Sequence, residues 1–323
     1  MSIIVTGAAG FIGMHVAQAL LARGERVIGV DNLNDYYEVS LKQARLDVLA
    51  ADPNFSFAEA DISDREAMFA LVDAHQDAAG IVHLAAQAGV RYSRENPYAY
   101  VTSNVMGQVV MLEAARRAPA LKHFVYASSS SVYGGNKETP FAVGQPVEHP
   151  VSLYAATKRA DELISDTYAH LYQIPQTGLR FFTVYGPWGR PDMAPMLFAK
   201  AILAGKPIRV FNHGEMWRDF TYIDDIVAGV LAALDRPPQG ERPHTIYNLG
   251  NHRSEKLLDF IAELEKALGR TAEKQFEPMQ PGDVPVTYAD IDLTRQALGY
   301  EPTTPISRGV PQFVAWYREH YGA

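Results

Sequence analysis

The chain has 323 residues, no cysteine, and 29 basic against 37 acidic side chains, for a formal charge of −8. Disulfides, thiolate metal sites and thiol nucleophiles are therefore excluded, and with no basic block a surface tracking nucleic-acid phosphates is not expected. With 47% apolar and 20% charged residues and strong periodicity, the expectation is an ordinary globular protein with an ample core, not a disordered chain.

No apolar run approaches the ~20 residues of a membrane span. A β-type run begins within one residue of Met1, where a secretory leader would show a basic and then an apolar region, so the expected location is the cytoplasm.

Ser2 to Thr6 is a short apolar run of β-branched residues that suits a strand buried on both faces. Gly7, Gly10 and Gly13 follow directly, and from Phe11 to Arg23 apolar residues return at helical spacing until Gly24, a natural helix stop. In this context glycines let the pyrophosphate of a dinucleotide approach the backbone, and the helix N-terminus takes up its charge. The expected contacts are Gly7, Ala9, Gly10, Phe11, Ile12 and Gly13. A second strand from Glu25 ends on Asp31, about 20 residues on, as the motif asks. A carboxylate there accepts hydrogen bonds from both adenosine ribose hydroxyls and repels a 2′-phosphate, which predicts NAD over NADP. Asn32 beside it joins the expected cofactor shell.

Phe55 to Ala60 leads to Asp61 and Ile62, expected at the adenine. Gly80 to Leu84 leads to Ala85 and Ala86, with Leu84, Ala85 and Ala86 expected along the cofactor's middle, because ligands of a doubly wound sheet lie across the carboxyl ends of its strands. Asn96 to Arg117 reads as one long amphipathic helix containing Asn104, a further cofactor candidate. Lys122 to Ala127 is a fifth strand running into Ser128 to Ser131. Serine is a common turn residue, but four of them at a strand's carboxyl end read as the shelf of a site.

Ser152 caps a helix that runs to about Tyr172. Within it Tyr154 and Lys158, four positions apart, project from one face about one turn apart. To act as a base near neutrality, a tyrosine with a free pKa of about 10 must be lowered by roughly three pH units, about 4 kcal/mol. A neighbouring ammonium or a cationic nicotinamide ring favours the phenolate.

Gln176 to Phe181 is another strand, after which the alternation loosens and proline and glycine punctuate Gly186 to Pro195. Arg218 to Asp225 reads as a return to the first lobe ahead of a helix from Ile223 to about Leu234. Helices at about Lys256 to Leu268 and Thr294 to Leu298 fill a second lobe. His83, inside an apolar strand, reads as a buried histidine satisfied by the backbone. His213, His244 and His252 lack metal-ligand spacing, so no metal is assigned.

The GxxGxxG of Gly7 to Gly13, Asp31, Leu84-Ala85-Ala86, Ser129 and the YxxxK of Tyr154 to Lys158, in this order, resemble the extended short-chain dehydrogenase/reductases over essentially the whole chain. Within that family the chain is most similar to the nucleotide-sugar 4-epimerases, in particular those acting on UDP-glucuronate. Two stretches carry the closer likeness: Ala85 to Ser93, which includes Arg91, and Arg180 to Ala194.

The expected fold is α/β, a Rossmann-type doubly wound parallel sheet with a smaller C-terminal substrate-binding lobe. Residues 1–181 plus about 216–248 would form the NAD-binding domain, and about 182–215 plus 249–323 the nucleotide-sugar lobe. The resemblance implies a tightly held NAD that is reduced and reoxidised in each turnover. Tyr154 would take the proton of the sugar 4-hydroxyl, Ser129 would hydrogen-bond the same oxygen, and Lys158 would hold the nicotinamide ribose. Arg218 would grip the diphosphate, with Arg91 and Ser130 also on the UDP-sugar side. Thr183, where galactose-type epimerases tend to carry asparagine, and Arg190 would hold the C6 carboxylate and so suppress loss of carbon dioxide from the 4-keto sugar.

Related 4,6-dehydratases and UDP-glucuronate decarboxylases carry acids where this chain has Ser130 and Ser131, so elimination lacks its general acid/base. The resemblance also implies a homodimer paired through the helices of Asn96 to Arg117 and Ser152 to Tyr172. Three alternatives stay open: a 4-epimerase of neutral UDP-hexoses, with Thr183 and Arg190 serving packing; a UDP-glucuronate decarboxylase; and a non-catalytic dinucleotide sensor on the same fold.

Overall fold

Strands that are apolar throughout must be covered on both faces, and the first half of the chain supplies them in alternation with helices. The computed structural model describes residues 1–280 and 282–322. In chain order come β1 (Ser2–Thr6), α1 (Phe11–Ala22), β2 (Arg26–Asp31), α2 (Val39–Ala50), β3 (Phe55–Glu59), α3 (Arg65–Ala74) and β4 (Ala78–His83). Next are α4 (Pro97–Tyr100), a π-helical turn (Val101–Met106), α5 (Gly107–Ala115), β5 (His123–Ser129), α6 (Leu153–Tyr172) and β6 (Gln176–Phe181). Every residue of β1, β4 and β6 is buried.

The second half is built of shorter pieces: β7 (Thr183–Tyr185), α7 (Ala194–Leu203), β8 (Ile208–Val210), β9 (Trp217–Arg218), β10 (Phe220–Tyr222), α8 (Ile223–Leu234) and β11 (His244–Leu249). It continues through β12 (Glu255–Lys256), α9 (Leu257–Leu268), β13 (Lys274–Phe276), α10 (Asp292–Leu298) and α11 (Ile306–Tyr321).

Seven strands form one sheet in the order β11-β6-β5-β4-β1-β2-β3, and every pair is parallel. The order reverses between β1 and β4, so the ends of those two strands open the crevice in which doubly wound sheets bind ligands. One face packs on α3, α5 and part of α6 through residues such as Met68, Met111 and Leu112. The other carries a larger core that continues from α1 and α8 into the C-terminal helices. Three two-stranded pairs, β7 with β10, β8 with β13 and β9 with β12, lie outside the main sheet. Among the described residues no helix is long and apolar enough to cross a membrane.

The helix expected from Asn96 to Arg117 is interrupted. Asn96 caps α4, accepting the Ala99 amide through its side chain, and the rod widens into the π turn before resuming as α5. Asn104 lies inside the widened turn and is buried. Helices α2, α7 and α11 carry no expectation above; α11 holds Pro311 inside it, which masks it in sequence because proline removes a helical hydrogen bond.

The core of the second half is aromatic. Phe260 on α9 stacks on Phe220 of β10 with ring centroids 4.1 Å apart and meets Tyr185 of β7 edge-on at 5.4 Å. All three rings are fully buried. Phe260→Ala should cost about 3–5 kcal/mol of unfolding free energy, measured as a lower urea midpoint; a loss under about 1 kcal/mol would mean the second half relaxes around the deletion.

Candidate active site

The glycine run turns the chain sharply at the end of β1. Gly7 has φ +72°, and a Cβ there would stand 2.8 Å from the Ala85 amide nitrogen, so only glycine lets this loop lie against the Leu84–Ala85 turn that follows β4. A Cβ on Gly13 would collide with the Gly7 carbonyl. Gly10 stands at the N-cap of α1 with no side-chain capping bond, and the first turn holds no acidic side chain, so the helix end keeps its positive character.

Asp31 closes β2 and braces this loop: its Oδ2 accepts from the Ala9 amide at 3.2 Å and its Oδ1 from the Leu33 amide at 3.0 Å. Burial raises its pKa, while Lys42, the two amides and Arg45 act in the opposite sense. Asn32 donates to Asp61 at 2.7 Å, joining the ends of β2 and β3. Burial alone would raise Asp61, but hydrogen bonds from Ser63 and Asn32 hold it below the usual carboxylate range. Ile62 is buried beside Gly107.

Asn104 has its polar atoms committed to the protein. Its Oδ1 accepts from the Gln87 amide, and its Nδ2 donates to the Gln87 carbonyl and the Thr157 hydroxyl, at 2.8, 3.1 and 3.0 Å. It therefore ties the turn after Ala86 to α6 between Tyr154 and Lys158. His83 is buried as expected, but its partner is the Thr6 hydroxyl, 2.7 Å from Nδ1, and not the backbone.

Ser152 caps α6 through the Ala155 amide, which places Tyr154 in the first turn and Lys158 one turn on. The Tyr154 ring meets Tyr100 edge-on at 6.2 Å. Helix α6 packs on β5 and the 3-10 turn Ser130–Tyr133. Ser129 ends β5 and caps that turn, accepting the Ser131 amide at 3.1 Å; Ser130 is half-buried beside it. Ser128 donates to Glu162 at 2.6 Å.

Glu162 and Arg180 form a bidentate buried pair at 2.8 and 2.9 Å. Arg180 also lies over the Tyr133 ring, and Arg159 adds a second cation to Glu162. Burial alone would raise Glu162, but Arg180 holds it below the usual range.

On the far side of the crevice Thr183 is half-buried at the start of β7. Arg190 forks onto Asp192 at 3.0 and 2.6 Å, and Tyr36 donates to the same carboxylate at 3.1 Å. Arg190, expected at the C6 carboxylate, is thus paired with Asp192. Its charge still acts on Tyr154, Tyr100 and Tyr36. Arg218 donates to the Trp217 and Pro285 carbonyls, with Asp283 and Arg91 close enough to influence it. Arg91 pairs with Asp283 at 3.2 Å.

Arg45, fully buried, reaches the Ala9 carbonyl at 2.8 Å and the Trp188 carbonyl at 2.7 Å. It fastens the glycine loop to the segment carrying Arg190. Arg45, Tyr36, Asp161 and Glu162 carry no expectation from sequence. Glu162 had a findable signal, since it stands four positions beyond Lys158 on the same helix face.

This crevice and its contents define a dinucleotide-using enzyme of the doubly wound class, and the chain belongs to the NAD dependent epimerase/dehydratase family, which it matches over residues 3–250. UDP-glucuronate 4-epimerase 4 of Arabidopsis thaliana is 48% identical, across 99% of this chain and 76% of that one. The probable UDP-glucuronate 4-epimerase of Rhizobium meliloti (strain 1021) is 44% identical, across 99% and 98%. The crystal structure of UDP-glucuronic acid 4-epimerase from Bacillus cereus, in complex with UDP-glucuronic acid and NAD, superposes with a TM-score of 0.92 at 37% identity, covering 99% of this chain and 100% of that one.

The residues present fit NAD: a glycine cradle that Cβ atoms would fill, a helix N-terminus without an acidic neighbour, and a carboxylate at the end of β2.

Glu162→Gln leaves Arg180 buried without its full counter-ion and should cost about 3–5 kcal/mol. A glutamate whose folded pKa is depressed contributes stability above its unfolded value that is lost as pH falls through the folded one. The wild type should therefore lose stability progressively below the ordinary glutamate value of 4.5, and denaturant titrations against pH should find this component missing in the variant.

Proposed function

We propose that the protein is an NAD-dependent 4-epimerase interconverting UDP-glucuronate and UDP-galacturonate through a transient 4-keto sugar. The observation that carries the reading is Tyr154 and Lys158 on one face of α6, against the carboxyl end of β5, where Ser130 and Ser131 follow Ser129 in place of acids. Full-length likeness to proteins named for this reaction supports the substrate.

When bound, NAD supplies the reversible oxidant for C4. Gly7, Ala9, Gly10, Phe11, Ile12 and Gly13 hold its pyrophosphate, Asp31 and Asn32 the adenosine ribose side, Asp61 and Ile62 the adenine, and Leu84, Ala85 and Ala86 its middle. Tyr154 accepts the 4-hydroxyl proton and returns it after the sugar has turned its other face. The Lys158 ammonium favours the phenolate form that this requires, and Ser129 holds the oxygen in line. Arg218 and Arg91 converge on the diphosphate, where a guanidinium can bind two oxygens at once. Ser130 and Thr183 offer hydroxyls to the hexuronate, and Arg190 supplies positive charge near its carboxylate from its station on Asp192.

In this reading residues 1–181 plus about 216–248 hold the cofactor, and 182–215 plus 249–323 hold the sugar nucleotide. Support comes from the main sheet, which draws its strands from β1 to β6 and β11. The absence of cysteine suits a reducing cytoplasm.

The protein mixed with UDP-glucuronate and no added NAD should yield UDP-galacturonate without change of mass, followed by proton NMR and mass spectrometry. Loss of carbon dioxide would make it a decarboxylase, and turnover of UDP-glucose alone would move the substrate to neutral hexoses. Tyr154→Phe should lower kcat by about 10²- to 10⁴-fold with NAD still bound; unchanged turnover would remove Tyr154 from its role.

We also infer a homodimer through α4, α5 and α6. Tyr98, Leu163 and Leu171 are exposed on these helices, and Val101 and Met106 on the π turn between α4 and α5, beside a shallow groove of about 290 Å³ lined by Val109, Leu163 and Tyr168. A second copy of the same face would cover them. Light scattering should give twice the chain mass for the wild type and the chain mass for Leu163→Arg; a wild-type monomer would refute the dimer.

A further inference from the structure

Lys158 does not stand alone in the site. Its ammonium lies 3.1 Å from the Asp161 carboxylate, one turn deeper along α6, and both side chains are buried, at 5% and 1% exposure. The oxygen of Asp161 that faces away from Lys158, Oδ1, has no hydrogen-bond partner among the described residues. A carboxylate buried this far needs a cation beside it, and Lys158 is the one it has.

The surrounding charges assign Asp161 to Lys158. Glu162, next along the helix, is saturated by Arg180, Arg159 and the Ser128 hydroxyl. From β4 the side chain facing Lys158 is His83, which burial and then Lys158 itself keep neutral, pushing its pKa down to about 3. From β5 Tyr126 lies near Asp161 and Glu162; its ring is buried and its hydroxyl lies 2.9 Å from His244 Nε2. Arg180 on β6 is bound to Glu162. Of the neighbouring carboxylates Asp161 and Glu162 on α6, Asp161 is thus the one paired with Lys158.

We propose that Asp161 is a positioning residue for Lys158, the counter-ion that keeps the buried ammonium protonated and anchored one helical turn below Tyr154. The proposal rests on the catalytic reading of Tyr154 and Lys158 and deepens it. A lysine in this setting without a counter-ion tends to lose its proton, because burial disfavours the charged form. The pull of Lys158 on the Tyr154 phenol then disappears at a lower pH.

The test uses the full-length protein as purified, labelled with ¹³C at the lysine ε-carbons, with the Lys158 resonance assigned by its loss in Lys158→Arg. Asp161→Asn keeps the shape and removes the charge. Its Lys158 resonance should titrate at least about one pH unit below that of the wild type, and the alkaline limb of kcat should move down with it. Asp161→Ala should act in the same direction and serves if the asparagine variant does not fold. A Lys158 midpoint that stays in place in either folded variant overturns the proposal, whatever happens to activity. So does a wild-type Lys158 already neutral at pH 8, which needs no variant to observe. The resonance reads out whether or not UDP-glucuronate is the substrate, so failure of the proposed reaction and failure of the Asp161 role are separable.

Discussion

The buried ion pair between Glu162 and Arg180 fixes the relation on which the site depends, the seating of α6 against the sheet. Helix α6 carries Tyr154 and Lys158, while β5 and β6 carry Ser129 and the chain leading to Thr183. A helix on a sheet can slide by a residue at modest cost if only apolar side chains meet. A bidentate guanidinium–carboxylate pair at 2.8 and 2.9 Å cannot, since a displaced partner leaves a bare charge in the interior. Because Glu162 also takes the Ser128 hydroxyl, the same contact sets the strand end that precedes Ser129. Stability is a weak reason to bury such a pair; register is a better one here.

A second buried carboxylate does related work at the opposite side. Asp219 follows Arg218 and accepts from the Asn251 and Ala289 amides and the Thr221 hydroxyl, at 2.6, 3.0 and 3.0 Å. It draws together the ends of β9 and β11 and the segment before α10. Burial raises its pKa to about 6 against the opposing pull of those donors. Arg218 is placed by this knot, and so are the second-half segments that must stay fixed while a bound sugar turns. Arg45 joins the glycine loop to Trp188 in the same spirit, using carbonyl acceptors where the other anchors use carboxylates.

Much of this was legible in the sequence because its physics is local. The strand, glycine turn and helix from Ser2 to Ala22 follow from periodicity and from Gly7 and Gly13, positions where a side chain would strike backbone. Tyr154 and Lys158 follow from helical spacing, and β6 and α8 fell where the pattern put them. What was not legible depends on partners distant in the chain. The pairing of Arg190 with Asp192, and the Tyr36 hydroxyl on that same carboxylate, have no signal in the sequence. Asn104 reads as a cofactor contact, and its bonds to Gln87 and Thr157 have no signal in the sequence. The π turn around it has no signal in apolar spacing, and α11 is hidden by Pro311.

The pairing of cations with private carboxylates reconciles an acidic protein with an anionic ligand. The chain carries a formal −8, yet Arg91, Arg190 and Lys158 each stand beside one acid, Asp283, Asp192 and Asp161. Each pair gives its cation a fixed partner, and for Lys158 and Arg190, the more buried two, it avoids an isolated charge in a low-dielectric crevice. A guanidinium bound through one edge still has donors to offer along another. Donors fixed in this way need little reorganisation when an anion is presented to them, which is the condition under which electrostatic binding carries over into catalysis.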